Sequence, residues 1–412
     1  MRTASALVLA IFGLQWVHAE NLGHWRGDGN GVFPAADPPT EFGPGKNLEW
    51  KTPIPGSGSG SPVVWGNQVF VPTAVPLDSI LGGYSFRVIC LDLESGKEIW
   101  SREVTRGRPH EGTHSTNTFA SPSPCTDGQR VYASFGSQGL HALSMDGKVL
   151  WQRDFGDLTM RAGFGEGSSP VLAGDKLILP WDHEGQSKLY ALDTTTGKTI
   201  WSVDRDEPSN WGTPRIIEFA GQKQVVQTGE NKVRAYRLSD GKALWECAGQ
   251  TVRPVASPVA TKDSVIVMSG FRGSFAGAFR PDGSGDIENT DKVLWTIKRN
   301  TPDIGSPVLS GNRLYFYKGK SGLLTCVDAA TGEPFFTTER IRGLDSIYAS
   351  PVVANGRVYL TDRDGTIAVI ADAPELKVLA VNQLDEGVDA TPAPVGQRLI
   401  VRGKSSVYSF TK

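Results

Sequence analysis

Ala191-Leu192-Asp193-Thr194-Thr195-Thr196-Gly197-Lys198, followed three residues later by Trp201, is the stretch that decides the fold. An apolar run ends in an aspartate, a polar turn follows, and a second run ends in tryptophan. The glycine supplies the positive φ that a tight hairpin needs, and the polar residues before it bond the turn's own backbone. Upstream, Ser169-Pro170 opens the same unit, leading into a short apolar strand, the turn Ala173-Gly174-Asp175, and a second strand over 176–180. Four short strands therefore make one unit. The opening recurs at Ser61-Pro62, Ser121-Pro122, Ser169-Pro170, Thr213-Pro214, Ser257-Pro258, Ser306-Pro307, Ser350-Pro351 and Thr391-Pro392, with prolines 60, 48, 44, 44, 49, 44 and 41 residues apart. Such periods match the ~40–50 residues of a four-stranded propeller blade. The sequence predicts an all-β chain, an eight-bladed β-propeller without substantial helix.

The fourth strands end in Trp100, Trp151, Trp201, Trp245 and Trp295, with Phe336 in the sixth unit and Ala380 in the seventh. A large ring at that place fills the wedge that widens between blades away from the axis, so these are packing residues. The eighth unit runs out after three strands at Phe410. Asn47-Leu48-Glu49-Trp50-Lys51 carries the missing strand ending, which predicts that this N-terminal strand closes the last blade and leaves no open edge. Cys90 and Cys326 occupy the same slot of different units, so the four cysteines (with Cys125 and Cys247) are expected to be unpaired and buried.

The chain has 412 residues, 48 glycines and 26 prolines, with 42 Lys+Arg against 44 Asp+Glu and pI ≈ 6.3. This near-neutral balance excludes a dedicated nucleic-acid binder. Arg2, the apolar run from Ala6 to Val17 and the small-residue site Val17-His18-Ala19 read as a cleavable signal peptide over 1–19. The run is too short to span a membrane, and no cysteine stands near the cleavage site to take a lipid. The expected layout is signal peptide 1–19, N-terminal extension 20–44 and propeller 45–412, secreted or periplasmic, a monomer with no membrane span.

The grammar Ala-x-Asp-x-x-Thr-Gly-x-x-x-Trp resembles the repeat of the pyrroloquinoline-quinone (PQQ)-like eight-bladed propellers over about residues 45–412. Trp25-Arg26-Gly27-Asp28-Gly29-Asn30-Gly31 is similar to the opening of exported bacterial propellers of that kind. That superfamily includes the quinoprotein dehydrogenases and the outer-membrane assembly factor BamB. The resemblance implies the fold; superfolds host many functions. PQQ-dependent oxidation implies a vicinal Cys-Cys pair, calcium ligands and an aspartate base. No Cys-Cys pair exists here, and Trp181-Asp182-His183-Glu184 with Trp211 imitates only parts of such a site. The expectation is therefore a non-enzymatic scaffold with no cofactor, binding a protein, peptide or small ligand of the cell envelope as BamB-like proteins do. The alternative is an alcohol or sugar dehydrogenase using PQQ and calcium.

Two other motifs mislead. His110-Glu111-Gly112-Thr113-His114 spells the zinc-protease signature, but Pro109 and Gly112 leave no helix to set both histidines on one face. Asp282–Glu288 alternates oxygen ligands but lacks the glutamate at position twelve of a calcium loop; an enlarged hairpin is expected. The residues before each Ser/Thr-Pro (Ser59, Phe119, Gly167, Trp211, Val255, Ile304, Tyr348 and Asp389) are expected to converge on one mouth of the axial channel. The candidate ligand or partner site is His114, Asn117, Arg161, Trp211, Arg253, Asp303, Tyr348 and Asp389, with Asp345 nearby. Arg161 and Arg253 would face an anion, and Trp211 and Tyr348 would stack. No catalytic residue and no metal ligand is assigned.

Overall fold

A computed structural model describes residue 21 and residues 23–412; the signal peptide expected over 1–19 lies outside the described residues. The eight units form eight sheets in a ring. Blade one runs outward through Val63–Trp65, Gln68–Leu77, Gly83–Asp92 and Glu98–Gly107. Blade eight runs through Ala393–Val395, Arg398–Arg402 and Ser406–Thr411, and Leu48–Pro53 pairs antiparallel to its last strand. The N-terminal strand thus closes the ring as expected. The helical elements among the described residues are two three-residue turns at Gly136–Gln138 and Arg161–Gly163.

The recurring motif joins neighbouring blades. Each terminal tryptophan lies against the turn glycine of the next blade: Trp50 on Gly96, Trp100 on Gly147, Trp151 on Gly197, Trp201 on Gly241, Trp295 on Gly332. A Cβ at Gly96 would stand 2.4 Å from the Trp50 ring, so the glycine provides contact space as well as positive φ. Each indole N–H then donates to a carbonyl of that turn, as Trp201 does to Leu238 O at 3.0 Å and Trp295 to Ala329 O at 3.0 Å. Trp245 differs. The turn it faces is the enlarged one, and its N–H donates to Gln224 Oε1 instead. The Asp282–Glu288 excursion lies between Phe275–Phe279 and Val293–Ile297 as expected, and its Gly285–Asp286 adds a fifth, parallel strand to blade four. Cys90 stands opposite Trp100 and Cys326 opposite Phe336, equivalent slots, and all four thiols are free and buried.

A second ring lies at the axis. Ser61 N donates to Ser123 Oγ, Ser123 N to Ser169 Oγ, and so on through Thr213, Ser257, Ser306, Ser350 and Thr391, whose N–H donates to Ser61 Oγ at 3.0 Å. Eight hydroxyls thereby take eight backbone donors that the first strands leave unpaired at the axis. This corrects the expected opening of blade two. Ser121-Pro122-Ser123-Pro124 offers the pattern twice, and only Ser123 reaches Ser169, so the mouth residue is Ser121, two before it, and not Phe119. Phe119 packs against Tyr84 behind the mouth, ring centroids 4.9 Å apart.

The N-terminal extension crosses the opposite end of the channel. Thr126 N donates to Gly23 O in blade two, Leu309 N to Asn30 O in blade six, and Val353 N to Gly31 O in blade seven. Asn30 exchanges two bonds with the Ala260 backbone of blade five. Trp25 lines the axial channel at this end.

Candidate functional site

At the open end, the residues two before each ring hydroxyl line a cavity of about 360 Å³: Ser59, Ser121, Gly167, Trp211, Val255, Ile304, Tyr348 and Asp389. The cavity continues into the axial channel, which the same eight residues line. The loop between blades one and two covers part of it. Tyr348 Oη of blade seven donates to Thr116 Oγ1 at 3.1 Å, and Asn117 Nδ2 donates to Phe164 O at 2.9 Å, so the loop bridges blade seven and the segment before blade three. His114 packs edge-on to Phe164, with Nδ1 2.8 Å from Thr116 Oγ1. The His110–His114 segment is not helical, so the protease geometry is absent.

Six expected residues line the cavity: His114, Asn117, Trp211, Arg253, Tyr348 and Asp389. Two do not. Asp303 sits behind the wall, where it binds Arg253 Nη2 at 2.8 Å. Arg161 lies outside the lining and holds Glu230 at 2.6 Å and Glu184 at 3.4 Å. Asp345 faces solvent beside Arg340. The expected anion-facing arginines are therefore both neutralised by carboxylates from other loops. Arg253 stacks over Phe271 at 3.8 Å, presenting a flat cation–π face instead of a free charge. Trp211 is fixed by its N–H to Gly165 O at 2.7 Å. Tyr348 lies under Arg363, 4.0 Å from its ring, and Arg363 forks onto Asp389 at 2.5 and 3.1 Å. Arg363, Phe164, Phe271, Lys320 and Glu166 were not legible as site residues.

Glu166 is chemically the most distinctive of these. Its oxygens accept from Ser137 N at 3.0 and 3.1 Å and from Ser137 Oγ at 2.5 Å. Burial pushes its carboxyl up to about 7 against those bonds, with Glu111 and Asp157 adding repulsion. The folded chain thus holds this proton more tightly than the unfolded one, whose value is 4.5. The contribution to stability is complete below about pH 4.5 and is lost as pH rises to about 7. A unit is worth about 1.4 kcal/mol, so the rise from 4.5 to about 7 corresponds to roughly 3 kcal/mol. Glu166→Gln is expected to flatten that part of the pH profile in urea unfolding between pH 4.5 and 7.5. An unchanged profile would count against the assignment.

The profile of the family described as outer membrane protein assembly factor BamB matches residues 43–157, 138–288 and 285–406. The chain belongs to that family. Among BamB relatives, the Yersinia pestis protein is 21% identical over 338 residues, covering 79% of this chain and 80% of that one. The Escherichia coli (strain K12) protein is 24% identical over 335 residues, with 79% and 80% covered. The quinoprotein ethanol dehydrogenase of Pseudomonas putida is 28% identical over 266 residues, 58% of this chain but 38% of that enzyme. Of solved structures, BamB from Moraxella catarrhalis superposes with a TM-score of 0.59 at 13% identity, covering 88% of this chain and 99% of that one. A europium-containing methanol dehydrogenase reaches 0.63 at 13% identity, covering 90% and 95%. At such identities the superpositions show the shared propeller alone.

Proposed function

We propose that this BamB-family chain is an exported, non-enzymatic scaffold in outer-membrane protein assembly that takes a protein segment at the channel mouth. The observation that carries this reading is the composition of the cavity wall. Phe164, Trp211, Phe271 and Tyr348 supply aromatic faces, while Asn117, Thr116, Ser59 and Ser121 supply neutral hydrogen-bonding groups at the rim. That combination suits an extended segment carrying aromatic or apolar side chains. The mouth's carboxylates are engaged: Asp389 by Arg363 and Glu166 by Ser137. A calcium-held quinone needs free carboxylate ligands, and no group of three His, Cys, Asp or Glu able to hold a metal occurs among the described residues. This donor set does not fit PQQ with calcium, so no oxidative step is derived.

A urea-unfolded outer-membrane β-barrel protein, diluted into the native propeller, is the probe. Trp211→Ala is expected to weaken its binding by roughly 30-fold, the scale of a central aromatic anchor, while the melting temperature stays near that of the native chain. Binding retained by Trp211→Ala and Tyr348→Ala, but lost on charging the exposed outer strand at Val378, Leu379 and Val381, would move the site to the side of the ring. Oxidation of an alcohol or sugar after addition of PQQ and Ca²⁺ would establish the dehydrogenase alternative.

A further inference from the structure

The plugged end of the ring contains a cavity of about 290 Å³ between Gly23–Gly29 of the N-terminal segment and the first strands of blades three to five. Arg26, His24 and Arg215 line it. Arg26 is 2% exposed. Its Nη2 donates to Asn30 O and Pro307 O, leaving Nε and Nη1 buried without partners. Arg215 donates Nη1 to Asp28 O at 2.9 Å, and its Nε is likewise buried and unpartnered. His24 Nδ1 accepts the Arg26 N–H at 3.2 Å, which puts the ring proton on Nε2, a fourth buried nitrogen without a partner.

Charge sharpens the point. No carboxylate lies within ion-pair distance of either guanidinium among the described residues. Asp28 lines the same cavity, but its Oδ1 accepts from Asn30 N and Val32 N. With His24 neutral, two guanidinium charges face one aspartate, and a buried uncompensated cation is expensive. The other buried arginines of this protein have acceptors instead. Arg205 has Asp182, Arg234 has Glu207 and Glu246, and Arg402, which has no carboxylate, gives its Nη1 to Gly60 O and Pro72 O with no guanidinium nitrogen left buried and unpartnered.

The glycines of Trp25–Gly31 reserve this space. A Cβ on Gly29 would stand 1.4 Å from Arg215 Nη1, and one on Gly31 would stand 3.1 Å from both Nη atoms of Arg26. Both glycines also have positive φ, +89° and +85°. The backbone is thus cut back where the two guanidiniums lie.

We propose that this cavity binds a small tetrahedral oxyanion of the phosphate or sulfate class, held by Arg26, Arg215 and His24 Nε2. The anion supplies the missing negative charge and offers acceptors to guanidinium and imidazole N–H groups that have none, a charge-assisted contact. Bound there, it ties the N-terminal plug to blade four through Arg215 and strengthens the closed end of the ring. The site is separate from the mouth and does not depend on what the mouth binds.

The test is calorimetric titration of the folded protein with inorganic phosphate and with sulfate, against chloride at equal ionic strength. The expected result is saturable binding of at least one oxyanion, a rise in melting temperature with its concentration, and no response to chloride. Arg215→Gln, at the cavity rim, should weaken binding at least tenfold and abolish the concentration dependence of the melting temperature. Arg26→Gln should weaken it comparably by removing the charge, and if that variant fails to fold, Arg215→Gln alone decides. No binding of either oxyanion, an equal response to chloride, or unchanged affinity in a folded Arg215→Gln overturns the proposal.

Discussion

A chain shortened to begin at Ile54 is expected to lose the cooperative melt of the intact ring. It lacks the outer strand of blade eight, so Ser406–Thr411 becomes an open edge and the seam between blades eight and one loses its wedge. Trp50 is 8% exposed, lies on Gly96 and donates to Leu93 O at 2.9 Å. Thr52 Oγ1 donates to Gly96 O at 2.6 Å, and Glu49 holds Arg398 through bonds of 2.7 and 2.8 Å. In a repeat array stability is a sum of units and neighbour interfaces; closing the ring adds one interface and removes both ends. The single change Trp50→Ala isolates the wedge and is expected to cost about 3–5 kcal/mol, read by urea unfolding. Adding a peptide of residues 41–53 to the shortened chain should restore part of its near-ultraviolet circular dichroism. A shortened chain with the native urea midpoint would show that the ring closes without this strand.

The parts of this protein that repeat were legible, because a period states the same physical requirement eight times. Trp201 and Gly197 are readable as a pair even before one knows that each contacts a different neighbouring blade. Blade two shows the limit: Ser121-Pro122-Ser123-Pro124 satisfies the pattern in two registers, and only the axial bond to Ser169 separates them. At the mouth, the residues on blade openings were found because their place follows from the repeat. Their charges were not. Arg253 finds Asp303 across 50 residues and Arg161 finds Glu230 across 69, between loops that obey no period. Glu166 stayed hidden for the same reason. Its raised proton affinity comes from burial and from the charges of Glu111 and Asp157, against the bonds from Ser137, and these residues belong to three separate segments. Trp25–Gly31 signalled a family resemblance, yet the reason for its glycines is visible only once Arg215 lies over Gly29.

Asp182→Ala is expected to be among the most damaging single changes in the ring, although the sequence invites a catalytic reading of Trp181-Asp182-His183-Glu184. Asp182 and Arg205 are both fully withdrawn from water, their side chains 1% and 0% exposed. Arg205 forks onto the carboxylate at 2.8 and 3.1 Å, donates to Tyr236 Oη at 2.7 Å and reaches Thr228 O at 2.8 Å. Asn210 Nδ2 completes the carboxylate's shell at 3.0 Å. Burial opposes the guanidinium charge, but Asp182 with Tyr236 and Glu207 outweighs it and holds the proton well above its ordinary range. Removing the carboxylate alone leaves that cation buried, at a cost of about 3–5 kcal/mol. Arg205→Met alone leaves the anion and should cost a similar amount. The double variant Asp182→Leu with Arg205→Met leaves no stranded charge, so its loss should be well below the sum of the two. Urea unfolding of all four proteins measures the coupling. Additive losses would mean that the pair is not a closed unit, and would return Asp182 to the list of groups free to meet a ligand.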